Sequence, residues 1–276
     1  MTTEHVPVLL KEVIEELHIK NQGKYIDATL GAGGYTKAIL DAGGEVLGID
    51  ADLSMLRIAK KNLKSEKVKL VHGNFKDLKK IAEENNFTVV DGIVFDLGVS
   101  NFHFSDETRG FSFKNPEALL DMRLDPESNS VKASDLLNVL REDQLREMFG
   151  NKFAKKIVEF RKVKRFEKVG NFLSLFPEKR IGKIHPATKA FLALRIAVNS
   201  ELDNLREVLP QAYELLGSGG RLVIVSFNSD EDRIVKQYFT SFAGAGKKQE
   251  MIKPTEEEIN RNQKSRSAVL RVITKE

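Results

Sequence analysis

The chain has no cysteine, no tryptophan and only seven prolines in 276 residues. Without cysteine there are no disulfides, no thiolate-ligated zinc and no thiol nucleophile, a composition that suits a reducing compartment. Without a spaced cluster of carboxylates either, no metal site is expected. A spanning helix needs roughly 18 or more consecutive apolar residues, and no such run is present. The opening segment MTTEHVPVLLKEVIEEL also lacks the basic stretch followed by an apolar one that marks a secretory leader. These absences predict a cytoplasmic protein with no membrane partner. Lacking tryptophan, the chain must build most of its aromatic core from 17 phenylalanines.

What is present describes an ordinary globular protein, 41% hydrophobic and 30% charged. Its length suits one large α/β domain, or a medium domain carrying a substantial insertion. The net charge of +4 conceals an uneven distribution. Residues 151–195 hold 13 Lys/Arg against 3 Asp/Glu, whereas the remainder holds 31 against 37. A basic segment on an otherwise acidic chain is the footprint expected where phosphates are met. A solvated lysine-rich helix face is the bland alternative.

After an amphipathic helix in HVPVLLKEVIEEL, the first hundred residues alternate strand and helix: KYIDAT, TKAILDAG, EVLGID, LSMLRIAKKNLK, VKLVHGNF, FKDLKKIAEEN and VVDGIVFDLGVS. That alternation predicts a Rossmann-like, doubly wound parallel sheet. Residues 104–193 then read as loop and helices, in SVKASDLLNVLREDQLREMFG, KFAKKIVEFRKVKRF and VGNFLSLFP. A single long helix, ATKAFLALRIAVNSELDNLREVLPQAYELL, leads back to GGRLVIVSF, DEDRIVKQYF and an antiparallel pair in MIKP and SAVLRVITK. The expected organisation is therefore a discontinuous catalytic domain, 1–103 and 194–276, interrupted by an all-helical basic insertion, 104–193. Open α/β sheets bind ligands at the carboxyl edge, where this insertion departs, so an RNA-recognition role is expected for it.

Four strand ends carry the chemistry. After strand one, Gly31, Gly33 and Gly34 let the backbone approach a ligand and expose the amides that open the next helix. No Gly-Lys-Ser/Thr follows, and the third glycine of a dinucleotide fingerprint would fall on Thr36. Asp50 ends strand two, where an acid accepts both ribose hydroxyls of a nucleoside; nearby Asp52 is plainly explained as a helix cap. Phe75, beyond strand three, is placed to lie on an adenine face. Asp96 ends strand four beside the point where strand order reverses. Together these suit an adenosyl ligand without a pyrophosphate, favouring S-adenosylmethionine over NAD.

In order and spacing, HVPVLL, DATLGAGGYT, DLGVSNFHFSDETRGFSF, LDMRLD, HPATKAFLALRIAVNSEL, GGRLVIVSFNSDEDRIVK and SRSAVLRV resemble the bacterial small-subunit (16S) rRNA cytidine-N4 methyltransferase family, RsmH or MraW. The resemblance runs essentially end to end. It implies a class I methyltransferase domain interrupted by a helical domain, with S-adenosyl-L-methionine as cofactor. The implied substrate is a cytidine in the decoding region, methylated on its exocyclic amine within the assembled or nearly assembled small subunit; a homodimer is compatible with the family. Carried over by position, the cofactor contacts include Gly33, Gly34, Tyr35, Asp50, Phe75, Asp96 and His103. The implied RNA contacts are Arg109, Phe111, Arg123, His185, Lys189, Asn228 and Arg233, joined by Lys155, Lys156, Lys162 and Lys164 of the basic segment. His5 also lies in a matching motif. Tyr35, His103 and Asn228 depart from the family pattern, which usually has histidine, glutamine and histidine there. All three replacements retain hydrogen-bonding capacity.

The implied reaction is in-line displacement at a sulfonium methyl by the cytosine N4. Its lone pair is delocalised into the ring, so catalysis needs positioning and a proton acceptor, for which Asp96 is the candidate. The target base must be extruded or unpaired, and Phe102, Phe104, Phe111 and Phe113 are candidates to stack on it, with core packing expected for at least two. Two other readings compete: a DNA amine methyltransferase and a non-catalytic ribosome-assembly factor that binds RNA. Against the first, Asp96-Leu97-Gly98-Val99 stands where the D/N/S-P-P-Y/F tetrad would be.

Overall fold

The computed structural model describes residues 7–177, 185–242 and 250–276. His5, and Lys179, Arg180 and Lys183 of the basic segment, lie outside the described residues. The chain divides into two compact units, residues 1–98 with 202–276, and Val99–Glu201.

The first unit is built on seven strands: β1 (Lys24–Asp27), β2 (Glu45–Asp50), β3 (Val68–His72), β4 (Val90–Asp96), β5 (Leu216–Ser226), β6 (Glu250–Ile252) and β7 (Val269–Thr274). They lie in the order β3-β2-β1-β4-β5-β7-β6. β1 to β5 are mutually parallel, and β7 runs antiparallel to both β5 and β6, as the closing pair predicts. β4 is apolar and almost wholly buried because layers cover both faces of a central parallel strand. One layer packs Ile26, Ile49, Ile93, Phe95, Leu209 and Phe239; the other packs Leu9, Val13, Tyr25, Ile39, Val94 and Val223. Strand order reverses between β1 and β4, so the loops after their carboxyl ends flank the crevice that such sheets form there.

The helices of this unit are α1 (Leu10–Leu17), α2 (Gly34–Asp41), α3 (Leu53–Asn62) and α4 (Leu78–Glu84) before the interruption. In the second unit, α5 (Asn101–Ser105), α6 (Ala133–Val139), α7 (Glu142–Phe149), α8 (Asn151–Val163), α9 (Val169–Leu173) and α10 (Thr188–Asn199) enclose a separate core. That core is aromatic, with Phe172 packing against Phe149, Phe153, Phe166, Phe176 and Phe191. The first unit resumes with α11 (Glu201–Leu215), followed after β5 by α12 (Ser229–Phe242) and α13 (Glu256–Arg261).

Two local expectations differ from the structure. The long helix expected from ATKAF to AYELL is broken at Ser200, which adopts a left-handed φ of 50°. Its ends are tied by a sheltered two-pronged ion pair, Arg195 Nε to Glu201 Oε1 at 2.9 Å and Nη2 to Oε2 at 2.8 Å. A serine carries no helix-stop signal as strong as glycine or proline, so the break is hidden in the sequence. The compact second unit is also longer than 104–193. Val99 packs against its core, and Phe191, Leu194 and Val198 of α10 belong to that core.

Candidate functional site

The turn after β1 is shaped by glycine. Gly31 and Gly33 hold φ of +52° and +87°, a region costly for residues bearing a Cβ, and a Cβ on Gly34 would collide with Pro7. The turn delivers the chain to α2, whose first amides have no partner within the helix and open towards the carboxyl end of the sheet. Beneath it lies a polar knot. Asp27 is completely buried, and its Oδ2 accepts the Thr36 hydroxyl at 2.7 Å. Burial pushes this carboxyl up to about 6, against the opposing pull of its hydrogen bonds.

Asp50 closes the outer side of the turn. Its Oδ2 accepts the Gly31 amide at 2.7 Å and its Oδ1 the Asp52 amide at 2.8 Å. Both carboxylate oxygens thus hold backbone amides of the turn and of the start of the next helix. Asp52 caps α3 by accepting the Ser54 amide at 2.7 Å, the plain role anticipated for it. Phe75 stands in a tight turn and meets Phe95 edge-on, with ring centroids 5.7 Å apart. The contact fixes the ring in the wall of the first unit's core.

Asp96 terminates β4, and its amide donates to Thr29 Oγ1 at 2.6 Å. The residue is partly accessible, yet its Oδ1 is sealed from solvent and accepts no hydrogen bond. Burial first, then the acids Asp27 and Glu231, push this carboxyl up to about 8. A buried orphan oxygen beside a glycine cradle fits a cationic group on a ligand, since a cation or a proton is what the carboxylate lacks.

Several site residues expected from the sequence have other employment. Tyr35 is buried among Val8, Leu9 and Val13, and its hydroxyl donates to the Val8 carbonyl. Asn228, an expected RNA contact, caps α12 by accepting the Asp230 and Glu231 amides at 3.0 Å each. Glu231 answers by accepting the Asn228 amide at 3.3 Å, the reciprocal arrangement of a capping box, and also accepts the Phe227 amide at 2.8 Å. Arg233 pairs with Asp230 at 2.6 Å and lines a surface hollow of about 460 Å³ with Lys236 and Gln237.

Within the second unit, Arg109 donates to the Arg123 and Leu124 carbonyls. Arg123 itself grips Asp121 with two bonds of 2.7 Å and donates to the Asn129 carbonyl at 2.8 Å. Both guanidinium groups therefore brace the 121–129 loop instead of standing ready for phosphates. Phe111 is a core residue, 5% exposed, beside Arg109 and His103. His103 is itself buried. Phe113 packs between His185 and Phe191, while Phe102 and Phe104 remain 38% and 36% exposed. His185 Nδ1 accepts the Ala187 amide at 3.1 Å, and Lys189 is exposed. On and just beyond α8, Lys155 and Lys164 are exposed, Lys156 donates to the Leu175 carbonyl, and Lys162 pairs with Glu159.

Asp27, Thr29 and Glu231 were not singled out as site residues from the sequence. The pattern Asn228-Ser-Asp-Glu231 did carry a signal, since a capping residue followed three positions later by glutamate marks a helix start.

A parallel sheet with one antiparallel strand, β7, inserted between β5 and β6, a glycine turn after β1, and acids at the tips of β2 and β4 define a class I, S-adenosylmethionine-dependent methyltransferase fold. A Clostridium thermocellum protein provisionally described as an rRNA methylase shares it, with a TM-score of 0.51, 13% identity, and 99% and 100% of the two chains covered. The chain belongs to the MraW methylase family, whose model matches residues 2–276. The Ribosomal RNA small subunit methyltransferase H of Dictyoglomus thermophilum is 42% identical over 97% of this chain and 95% of its own. The protein of the same name from Dehalococcoides mccartyi is 41% identical over 97% of this chain and 85% of its own. Among the described residues, no helix is long and apolar enough to cross a membrane.

Proposed function

We propose that the chain methylates small-subunit rRNA in the cytoplasm, transferring the methyl group of S-adenosylmethionine to the N4 of a cytidine in the decoding region, with the assembled or nearly assembled small subunit as substrate. The observation that carries the reading is the orphaned, buried Oδ1 of Asp96 at the tip of β4, in a chain of the MraW methylase family. When bound, the cofactor supplies an electrophilic methyl group on a positively charged sulfur.

The residues divide the remaining work. The turn Gly31–Tyr35 offers backbone amides, Asp50 offers acceptors to a ribose, and Phe75 offers a ring to the base. His103 is retained as a cofactor contact. Asp96 is the acceptor for an N4 proton, at the strand end where charge is most costly to leave unbalanced. Phe102 and Phe104, with exposed ring surface, are better placed than the buried Phe111 to stack on an extruded base, at ~1–3 kcal/mol for each stacked base. Lys155, Lys164 and Lys189 give the inserted unit its phosphate contacts.

Transfer of a tritiated methyl group to immature small subunits, naked rRNA and duplex DNA tests the reading. Incorporation into the small subunit at cytidine N4 is expected. Incorporation into duplex DNA alone would assign a DNA amine methyltransferase. Tight RNA binding with no incorporation into any substrate would assign a non-catalytic assembly factor.

A further inference from the structure

Among the described residues of its own unit, the charged groups acting on the acid at the tip of β4 supply it no counter-charge. Asp27, on β1, has the Thr36 hydroxyl on one oxygen, and Glu231, at the start of α12, has the Phe227 amide. Among the described residues no donor reaches Asp96 Oδ1, which is also sealed from solvent. The charged groups that act on it most are both acids, Asp27 and Glu231, and the buried Tyr35 of α2 feels its charge in turn. Ionising Asp96 therefore adds a negative charge to a buried acidic cluster, and either a proton or a cation relieves the cost. The cofactor assigned above is cationic at sulfur, and its demethylated product is a neutral thioether.

We propose that Asp96 exchanges its proton for the sulfonium charge, so that cofactor binding releases one proton to solvent whereas binding of the demethylated product releases none. The inference rests on the cofactor assignment of the preceding section. It gives the crevice a way to tell the two ligands apart without any difference in shape. Ionised Asp96 is stabilised only while the positive charge is present. Methyl transfer breaks the carbon–sulfur bond, its electron pair returning to sulfur, as the N4 lone pair forms the new carbon–nitrogen bond. The charge beside Asp96 then disappears and its proton affinity recovers as N4 must shed a proton. The carboxylate takes that proton, leaving a neutral acid beside a neutral thioether, and the product loses its hold.

Calorimetry on the whole chain tests this, titrating S-adenosylmethionine and S-adenosylhomocysteine in buffers of high and low ionisation enthalpy. The ligands share adenosine and the amino-acid end, so their difference isolates the sulfonium. Close to one additional proton is expected to leave with the charged ligand at neutral pH. Its affinity should improve towards tenfold per unit between about pH 6 and 8 relative to that of the neutral ligand. Asp96→Asn should abolish the difference in proton release. Equal proton release for the two ligands by the wild-type chain would overturn the exchange while leaving the cofactor assignment intact. An unchanged difference in the variant would remove Asp96 from it. Failure of both ligands to bind would overturn the cofactor assignment and the exchange together.

Discussion

The amide of Asp96 donates to the hydroxyl of Thr29 at 2.6 Å, fastening the tip of β4 to the loop that follows β1. This bond spans the reversal of strand order, beside the backbone bond from the Ala28 amide to the Val94 carbonyl at 3.0 Å. Thr29→Val keeps the shape of the side chain and removes the acceptor, leaving a part-buried amide unpaired at a cost of up to ~1–3 kcal/mol. Urea unfolding should show that loss, and cofactor affinity should fall with it. Thr29→Ser should restore both.

The raised acids predict how stability follows pH. The folded value for Asp96 is about 8, with desolvation the first cause. An unfolded aspartate titrates near ~3.9. A carboxyl raised on folding contributes its full stability below the unfolded value and loses it as pH climbs to the folded one. Asp96→Asn cannot ionise, so in the absence of ligand its melting temperature should gain on wild type as pH rises from about 5 to 8. A gain of at least ~2–4 °C corresponds to ~1 kcal/mol in a chain of this size. A difference independent of pH would show that Asp96 is already ionised in the empty crevice.

Asn228 supports α12 through its cap. Replacing a capping asparagine by alanine typically costs ~0.5–2 kcal/mol, whereas aspartate preserves the acceptor. Asn228→Ala should therefore lower the unfolding midpoint, Asn228→Asp should not, and RNA affinity should be insensitive to the first change once measured well below the melting temperature. A loss of RNA binding in a fully folded Asn228→Ala protein would return the residue to the substrate interface.

How far the site was legible follows from what each residue leaves in a sequence. The strands stood out because buried parallel strands are apolar throughout, and Asp50 and Asp96 because acids that end such runs are conspicuous. Glycines at positive φ announced the turn. Invisible were the facts that depend on three-dimensional pairing. Arg109 and Arg123 looked available because nothing linear shows that carbonyls of residues 123–129 and the Asp121 carboxylate consume them. Tyr35 sits in the right turn, but as the second residue of α2 it directs its ring into the core beside α1. The end of α10 was missed because a left-handed serine is a rare way to stop a helix.

The basic insertion makes a sharper prediction now that its lysines differ in surroundings. Lys155 and Lys164 are exposed, whereas Lys156 and Lys162 have partners within the unit. The pair Lys155→Gln and Lys164→Gln should flatten the salt dependence of RNA binding by ~0.7 for each lost phosphate contact with single-stranded RNA. The pair Lys156→Gln and Lys162→Gln should do less, because those side chains must first surrender their present partners. Equal slopes for wild type and the first pair would reduce the segment to a solvated face.

The decisive substitution for the chemistry is Asp96→Asn, read as a rate. It preserves the side chain's shape and one acceptor oxygen, and it removes the negative charge and the capacity to take a proton. If Asp96 serves the N4 proton, the single-turnover rate on small subunits should fall by ~10²-fold or more at saturating cofactor, within the range usual for general acid–base groups. RNA affinity should stay near that of wild type, because the carboxyl lies at the end of a sheet strand with its Oδ1 sealed from solvent. A residue that merely places the cofactor would behave differently. Its loss would be felt as weaker binding, and enough cofactor would restore the rate in full. The two roles separate on one titration of rate against cofactor concentration: a plateau well below wild type assigns Asp96 to the chemical step, and a plateau equal to wild type confines it to binding.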